Sequence, residues 1–185
     1  DKRNYGNGEE KQKERHDLPQ MSMDYIIQSI EEIMRVLQPS GYLFMWVDKF
    51  HLINNQEFFA SQKGLKKPAY EVVDLITWDK TKMGMGYRSR VQQEFLLIIQ
   101  KSPKLAKATW VDRGIRDVHS EKIEDKNHPH QKPKGLIERL IQATCFKGDE
   151  LVIDPCAGSF VVGDICKDLG INFKGNDIIY GTEYD

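Results

Sequence analysis

Two short, unbroken apolar runs restrict what this chain can become. Tyr42-Leu43-Phe44-Met45-Trp46-Val47 and Phe95-Leu96-Leu97-Ile98-Ile99 contain no polar side chain. A strand with one face in water alternates apolar and polar residues. Runs without that alternation, rich in aromatic and branched residues, read as strands buried on both faces. Helical patterns surround them. Met23, Ile26, Ile27, Ile30, Ile33, Met34 and Leu37 recur at three and four residues, with Ser22 as N-cap and Pro39-Ser40-Gly41 as stop. Leu136, Ile137, Leu140 and Ile141 form the same kind of stripe over 133–145. Further strands are predicted at 70–78, 108–111, 151–153 and 172–178, and further helices at 55–63 and 160–169. Helices alternating with apolar strands predict an α/β fold, a mostly parallel sheet with helices on both faces. Residues 1–21 are polar and aperiodic and read as a loop, leaving 22–185 as one domain.

Bulk properties narrow the possibilities less. A chain of 185 residues can bury a real core. Its 27 basic and 28 acidic side chains nearly cancel, so total charge demands neither nucleic acid nor membrane, although a local basic face remains open. Cys145, Cys156 and Cys166 are too few and too irregular for a disulfide framework, and no CxxC pair points to zinc. A reduced, cytoplasmic setting follows. No apolar run approaches the roughly 18 residues of a membrane span.

Chemistry concentrates near the C-terminus. Asp154-Pro155-Cys156-Ala157-Gly158-Ser159-Phe160 lies between an apolar strand and a helix. Gly158 lets a ligand approach the backbone, and Asp154 places a carboxylate beside it. The run lacks the Gly-Lys-Ser/Thr ending of a phosphate loop and the full GxGxxG pattern. An acid at such a turn suits a ligand bearing a cation or hydroxyls, such as S-adenosylmethionine. Asp177 follows at the end of the next strand, about twenty residues after Gly158, where dinucleotide-type folds grip a ribose. Upstream, His128-Pro129-His130-Gln131-Lys132-Pro133 opens a helix with its backbone restricted by two prolines. It can present Gln131 and Lys132 to an anion, aided by the helix N-terminus. His128 and His130 find no third ligand, so no metal is expected. Residues 79–90 form a basic, Gly-rich loop. Its Lys80, Lys82, Arg88 and Arg90, with Tyr87 among them, could follow a phosphate backbone and stack a base.

In this order, these segments resemble the β-class S-adenosylmethionine-dependent DNA amino-methyltransferases. His128–Pro133 matches that family's HPxQKP segment, and Asp154–Phe160 resembles its DPFxGSG segment. Lys174-Gly175-Asn176-Asp177 is similar to the strand whose acid holds the ribose. The resemblance covers 22–180 and implies a Rossmann-like, permuted methyltransferase domain with its cofactor half at 128–185. It implies S-adenosylmethionine held by His130, Gln131, Lys132, Asp154, Pro155, Cys156, Gly158, Ser159 and Asp177. It implies methylation of an amino group in DNA, adenine ahead of cytosine, in a restriction-modification setting, by a homodimer or with a partner subunit. Cys156 stands where the family has Phe, and Phe160 where it has Gly or a small polar residue. The family's catalytic Pro-Pro-aromatic segment has no match. Asp17-Leu18-Pro19-Gln20 lacks the aromatic and follows no apolar strand, so catalytic residues stay unassigned. The expectation is that the segment lies before Asp1, or that the chain is an inactive homologue binding nucleic acid or a partner. An RNA methyltransferase is the other alternative.

Overall fold

A computed structural model describes residues 21–55, 69–84, 86, 88–123 and 131–178. The chain divides into two compact units, residues 1–35 and 36–185. In the first, helix α1 (Met23–Val36) starts as its sequence predicts. The Tyr25 amide donates to Ser22 Oγ at 3.2 Å, and Ile30 and Met34 are buried.

The second unit follows in the order β1 (Tyr42–Val47), α2 (Lys49–Asn54), β2 (Tyr70–Asp79), β3 (Gln93–Lys101), α3 (Ala106–Thr109), β4 (Val118–Ser120), α4 (Lys134–Thr144), β5 (Leu151–Asp154), α5 (Val161–Leu169) and β6 (Asn172–Gly175). One sheet has the order β1-β3-β2-β4, and β5 pairs with β6 in another. The α/β expectation holds, but the pairing is more mixed than a mostly parallel reading. β3 runs antiparallel to β1 and β2, while β2–β4 and β5–β6 are parallel. The reason is local. Residues 80–92 fold back as a hairpin loop, with Lys80 N–H on Gln92 O at 3.0 Å and Gly84 N–H on Val91 O at 2.8 Å. A hairpin joins antiparallel strands, whereas parallel neighbours need a crossover.

β3 is central, which explains its unbroken apolar run: Leu96, Leu97, Ile98 and Ile99 are all buried. Gln100 is buried too, and donates to Ser40 O and to Thr109 Oγ1. α4 joins the two sheets' cores. Its Leu136 and Leu140 pack with Ile76, Leu96 and Ile98, flanked by Tyr42, Phe44 and Trp46. Its neighbouring Ile137 and Ile141 pack with Ile165 and Cys166 of α5, beside Val152 and Phe173. Each such buried side chain contributes about 1.5–3 kcal/mol of transfer free energy.

Three local predictions are corrected. Residues 106–109 form a helical turn, not part of a strand, because Thr109 Oγ1 donates back to Leu105 O at 2.9 Å while Trp110 turns edge-on to Tyr42. β4, three residues long, was not foreseen. The final strand ends at Gly175 rather than at 178. The helix expected over 55–63 lies outside the described residues apart from Asn55. α2 forms just before it, its start capped by Asp48, which accepts the Phe50 and His51 amides at 2.7 and 2.9 Å.

Candidate cofactor and substrate site

The turn from β5 to α5 is tied to the end of β6. Asp154 Oδ1 accepts the Cys156 amide at 3.0 Å. Asp177 Oδ2 accepts the Gly158 amide at 3.1 Å. Ala157 N–H donates to Asn176 O at 2.9 Å, and Asn176 N–H to Asp154 O at 3.0 Å. The sequence reading placed Asp154, Cys156, Gly158 and Asp177 in one site, and the fold brings these four together. Pro155 is exposed and Ser159 half-buried on the same turn.

Gly158 has φ 52°, and Phe160 has φ 56°, a left-handed conformation that costs a residue with a Cβ roughly 1–2 kcal/mol. The Phe160 ring is buried, and it lies where Gly175 leaves room. A Cβ at Gly175 would stand 2.7 Å from the Phe173 ring and 2.8 Å from the Phe160 ring. The unusual Phe160 and the glycine of β6 therefore fit each other, and burial of the ring offsets the backbone strain.

The electrostatics of this turn are anionic. Burial pushes the Asp154 carboxyl above its ordinary range; the Cys156 amide opposes this and the charge of Asp177 adds to it. Burial and the same two acids push the Cys156 thiol up, so it is no thiolate nucleophile. Two amides that a phosphate would need are already taken by carboxylates. The turn can accept hydrogen bonds from hydroxyls and face a cation, and it disfavours an anion.

Lys132 belongs to a second cluster. Its Nζ pairs with Glu94 Oε2 at 2.5 Å and lies 5.1 Å from the centre of the Trp46 ring. Lys80 Nζ pairs with the other oxygen of Glu94 at 2.7 Å and lies 5.6 Å from the Trp78 ring. Trp46 and Trp78 meet edge to face. Burial alone would raise the Glu94 carboxyl, but Lys132 and Lys80 together hold it below its usual range. Glu94 thus pairs with both lysines.

The expectation that the α4 N-terminus serves a ligand anion is corrected. Glu121 fills that position: its two oxygens accept the Gly135 and Leu136 amides at 3.0 and 3.1 Å. Glu121 Oε2 also lies 2.8 Å from His119 Nε2. The helix's first amides and dipole are satisfied from within the chain.

Hydrogen bonds close the described ends of the basic loop. Asp79 accepts the Gln92 side chain and the Thr81 amide, both at 2.8 Å. A Cβ at Gly84 would lie 2.7 Å from Val91 O. Lys82, Arg88 and Arg90 are exposed on this hairpin, whereas Lys80 is half-buried against Glu94. Tyr87, His130 and Asp17–Gln20 lie outside the described residues. Sequence reasoning missed the roles of Glu94 and Glu121. Only the register that sets Glu94 opposite Trp78 could have signalled the first.

A family described as DNA methylase matches residues 2–183. The type II methyltransferase M.HhaII of Haemophilus parahaemolyticus is 47% identical over 184 residues, covering 99% of this chain and 78% of that protein. The DNA adenine methyltransferase YhdJ of Escherichia coli is 46% identical over 61 residues, 33% of this chain and 20% of that protein. The crystal structure of the M1.HpyAVI–SAM complex superposes with a TM-score of 0.63 at 23% identity, covering 86% of this chain and 78% of that one. That likeness establishes the Rossmann-like methyltransferase fold.

Proposed function

The chain belongs to the DNA methylase family, and on that premise we propose that it transfers a methyl group from S-adenosylmethionine to the exocyclic amino group of adenine in DNA. The observation that carries this reading is the pair of acids at the β5–α5 turn, with the Cys156 and Gly158 amides closed by Asp154 and Asp177. Such a turn rejects phosphate and accepts a ligand with ribose hydroxyls and positive charge. S-adenosylmethionine has both, and when bound supplies an electrophilic methyl on its sulfonium. Asp177 accepts hydrogen bonds from the ribose hydroxyls in this reading, which is supported by the general role of acids at the second strand end in nucleotide-binding folds. Gly158 lets the ligand lie against the backbone. Pro155, Cys156 and Ser159 line the same turn, and His130, Gln131 and Lys132, from the segment that precedes α4 in the chain, complete the proposed cofactor set.

The exposed Lys82, Arg88 and Arg90 on the hairpin between β2 and β3 follow the DNA backbone, with Lys80 behind them and Tyr87 in the same loop. Phosphate contacts position the duplex without reading its sequence. Methylating an amino group requires the base outside the stack, and the catalytic gain lies in holding the amine in line with the methyl. Preference for adenine rests on the similarity to the adenine methyltransferase of Escherichia coli.

The test incubates the protein with tritiated-methyl S-adenosylmethionine and duplex DNA or RNA, then resolves the digested nucleosides. Label in N6-methyladenine from DNA supports the reading. Label in N4-methylcytosine overturns the base assignment, label only in RNA overturns the substrate, and no transfer by protein that binds the cofactor overturns catalysis.

A further inference from the structure

Register sets four side chains on one sheet face. Trp78 lies opposite Glu94, and Trp46 opposite Leu96 two residues further along β3. Residues directly opposite and two apart share a face, and α4 covers this face through Leu136 and Leu140. At its end, where β1 and β2 finish and β3 begins, one carboxylate meets two ammonium groups. Glu94 and Lys80 side chains are each 28% exposed and Lys132 26%. Each lysine also lies over a tryptophan ring. A lysine stem is flexible, and a carboxylate with an aromatic face confines it. Lys132 directly precedes α4 through Pro133, and Lys80 directly follows β2 at the root of the basic hairpin.

We infer that Glu94 is a positioning residue that holds Lys132 on the cofactor side and Lys80 on the DNA side through a single carboxylate. The inference rests on the proposed function and adds a link between its two binding events. A neutral amide at position 94 offers one acceptor oxygen and no charge, so Glu94→Gln raises local charge by one and loosens the hold on the two lysines. The cofactor loses an ordered Lys132, while DNA gains a loose cation. A merely structural defect would not strengthen DNA binding.

The experiment titrates wild type, E94Q, K132M and K80M with S-adenosylmethionine by calorimetry, and with non-specific duplex DNA across a sodium chloride series. E94Q and K132M are expected to weaken the cofactor about tenfold, with the double variant no weaker than either alone. E94Q is expected to steepen the salt dependence of DNA binding by up to about one unit of slope, and K80M to flatten it by a similar amount. In turnover, E94Q is expected to lower kcat without raising KM for DNA. Wild-type cofactor affinity and salt slope in E94Q overturn the inference. If E94Q does not fold, unchanged cofactor affinity in K132M or an unchanged salt slope in K80M overturns it. Wild-type protein that binds DNA but neither binds nor uses S-adenosylmethionine defeats the proposed function instead, and the salt slopes then judge the clamp alone.

Discussion

The Asp177 carboxylate accepts the Gly158 amide at 3.1 Å across 19 residues of sequence. Asp177 lies two residues beyond the second strand of the β5–β6 pair, and Gly158 sits in the turn that leaves the first. The bond braces the turn, and in the proposed function the same acid holds the ribose. Replacing Asp177 by Ala removes both effects. Affinity for S-adenosylmethionine is expected to fall more than about tenfold, measured by calorimetry; an unchanged affinity would remove Asp177 from the site.

Asp154 is expected to trade stability for binding. Burial raises its folded pKa, so between the ordinary and the raised value the folded chain holds more protons than the unfolded one. Stability therefore falls as pH climbs through that window and recovers as pH drops into it. Asp154→Asn keeps an oxygen for the Cys156 amide and removes the charge beside Asp177. Its Tm at neutral pH should equal or exceed that of the parent, with a flatter pH dependence above the ordinary aspartate range, while cofactor affinity falls. A lower Tm with unchanged affinity would contradict this account.

Glu121 closes the start of α4 with two charge-assisted hydrogen bonds. Glu121→Ala leaves those amides without their partner and is expected to cost about 1–2 kcal/mol in urea unfolding. The loss should persist without cofactor. A loss seen only with cofactor present would mean that Glu121 serves the ligand and not the helix.

Gly175→Ala forces a methyl group to within 2.7 Å of the Phe173 ring and 2.8 Å of the Phe160 ring. Both rings pack from one side of a short strand, so neither can yield without moving the turn. The expected destabilisation is about 1–3 kcal/mol, read by thermal unfolding. Pairing it with Phe160→Leu should recover part of the loss, and full additivity of the two changes would show that the rings are not the obstacle.

What could be read in advance follows from how local each signal is. The stripe Leu136, Ile137, Leu140, Ile141 predicted α4 nearly to the residue because helix periodicity lies within one segment. The turn from Asp154 to Gly158 and its partner Asp177 were legible because strand, turn, helix and strand follow one another directly. The direction of β3 was not, since Phe95–Ile99 reads the same in a parallel or antiparallel place, and only the closing bonds of the 80–92 hairpin decide it. Glu94 with Lys132, 38 residues apart, and Glu121 with Leu136, 15 apart, depend on tertiary register that no local pattern encodes. Asp17–Gln20 and His130 lie outside the described residues.

In the proposed function the β5–α5 turn is closed to anions and open to a cation-bearing nucleoside. Parallel calorimetric titrations of the protein with S-adenosylmethionine and with ATP test it most directly, since both carry adenosine and differ in charge. The account predicts saturable binding of S-adenosylmethionine that weakens in Asp177→Ala, and no competing ATP binding. ATP binding as tight as S-adenosylmethionine and equally sensitive to Asp177→Ala would contradict it.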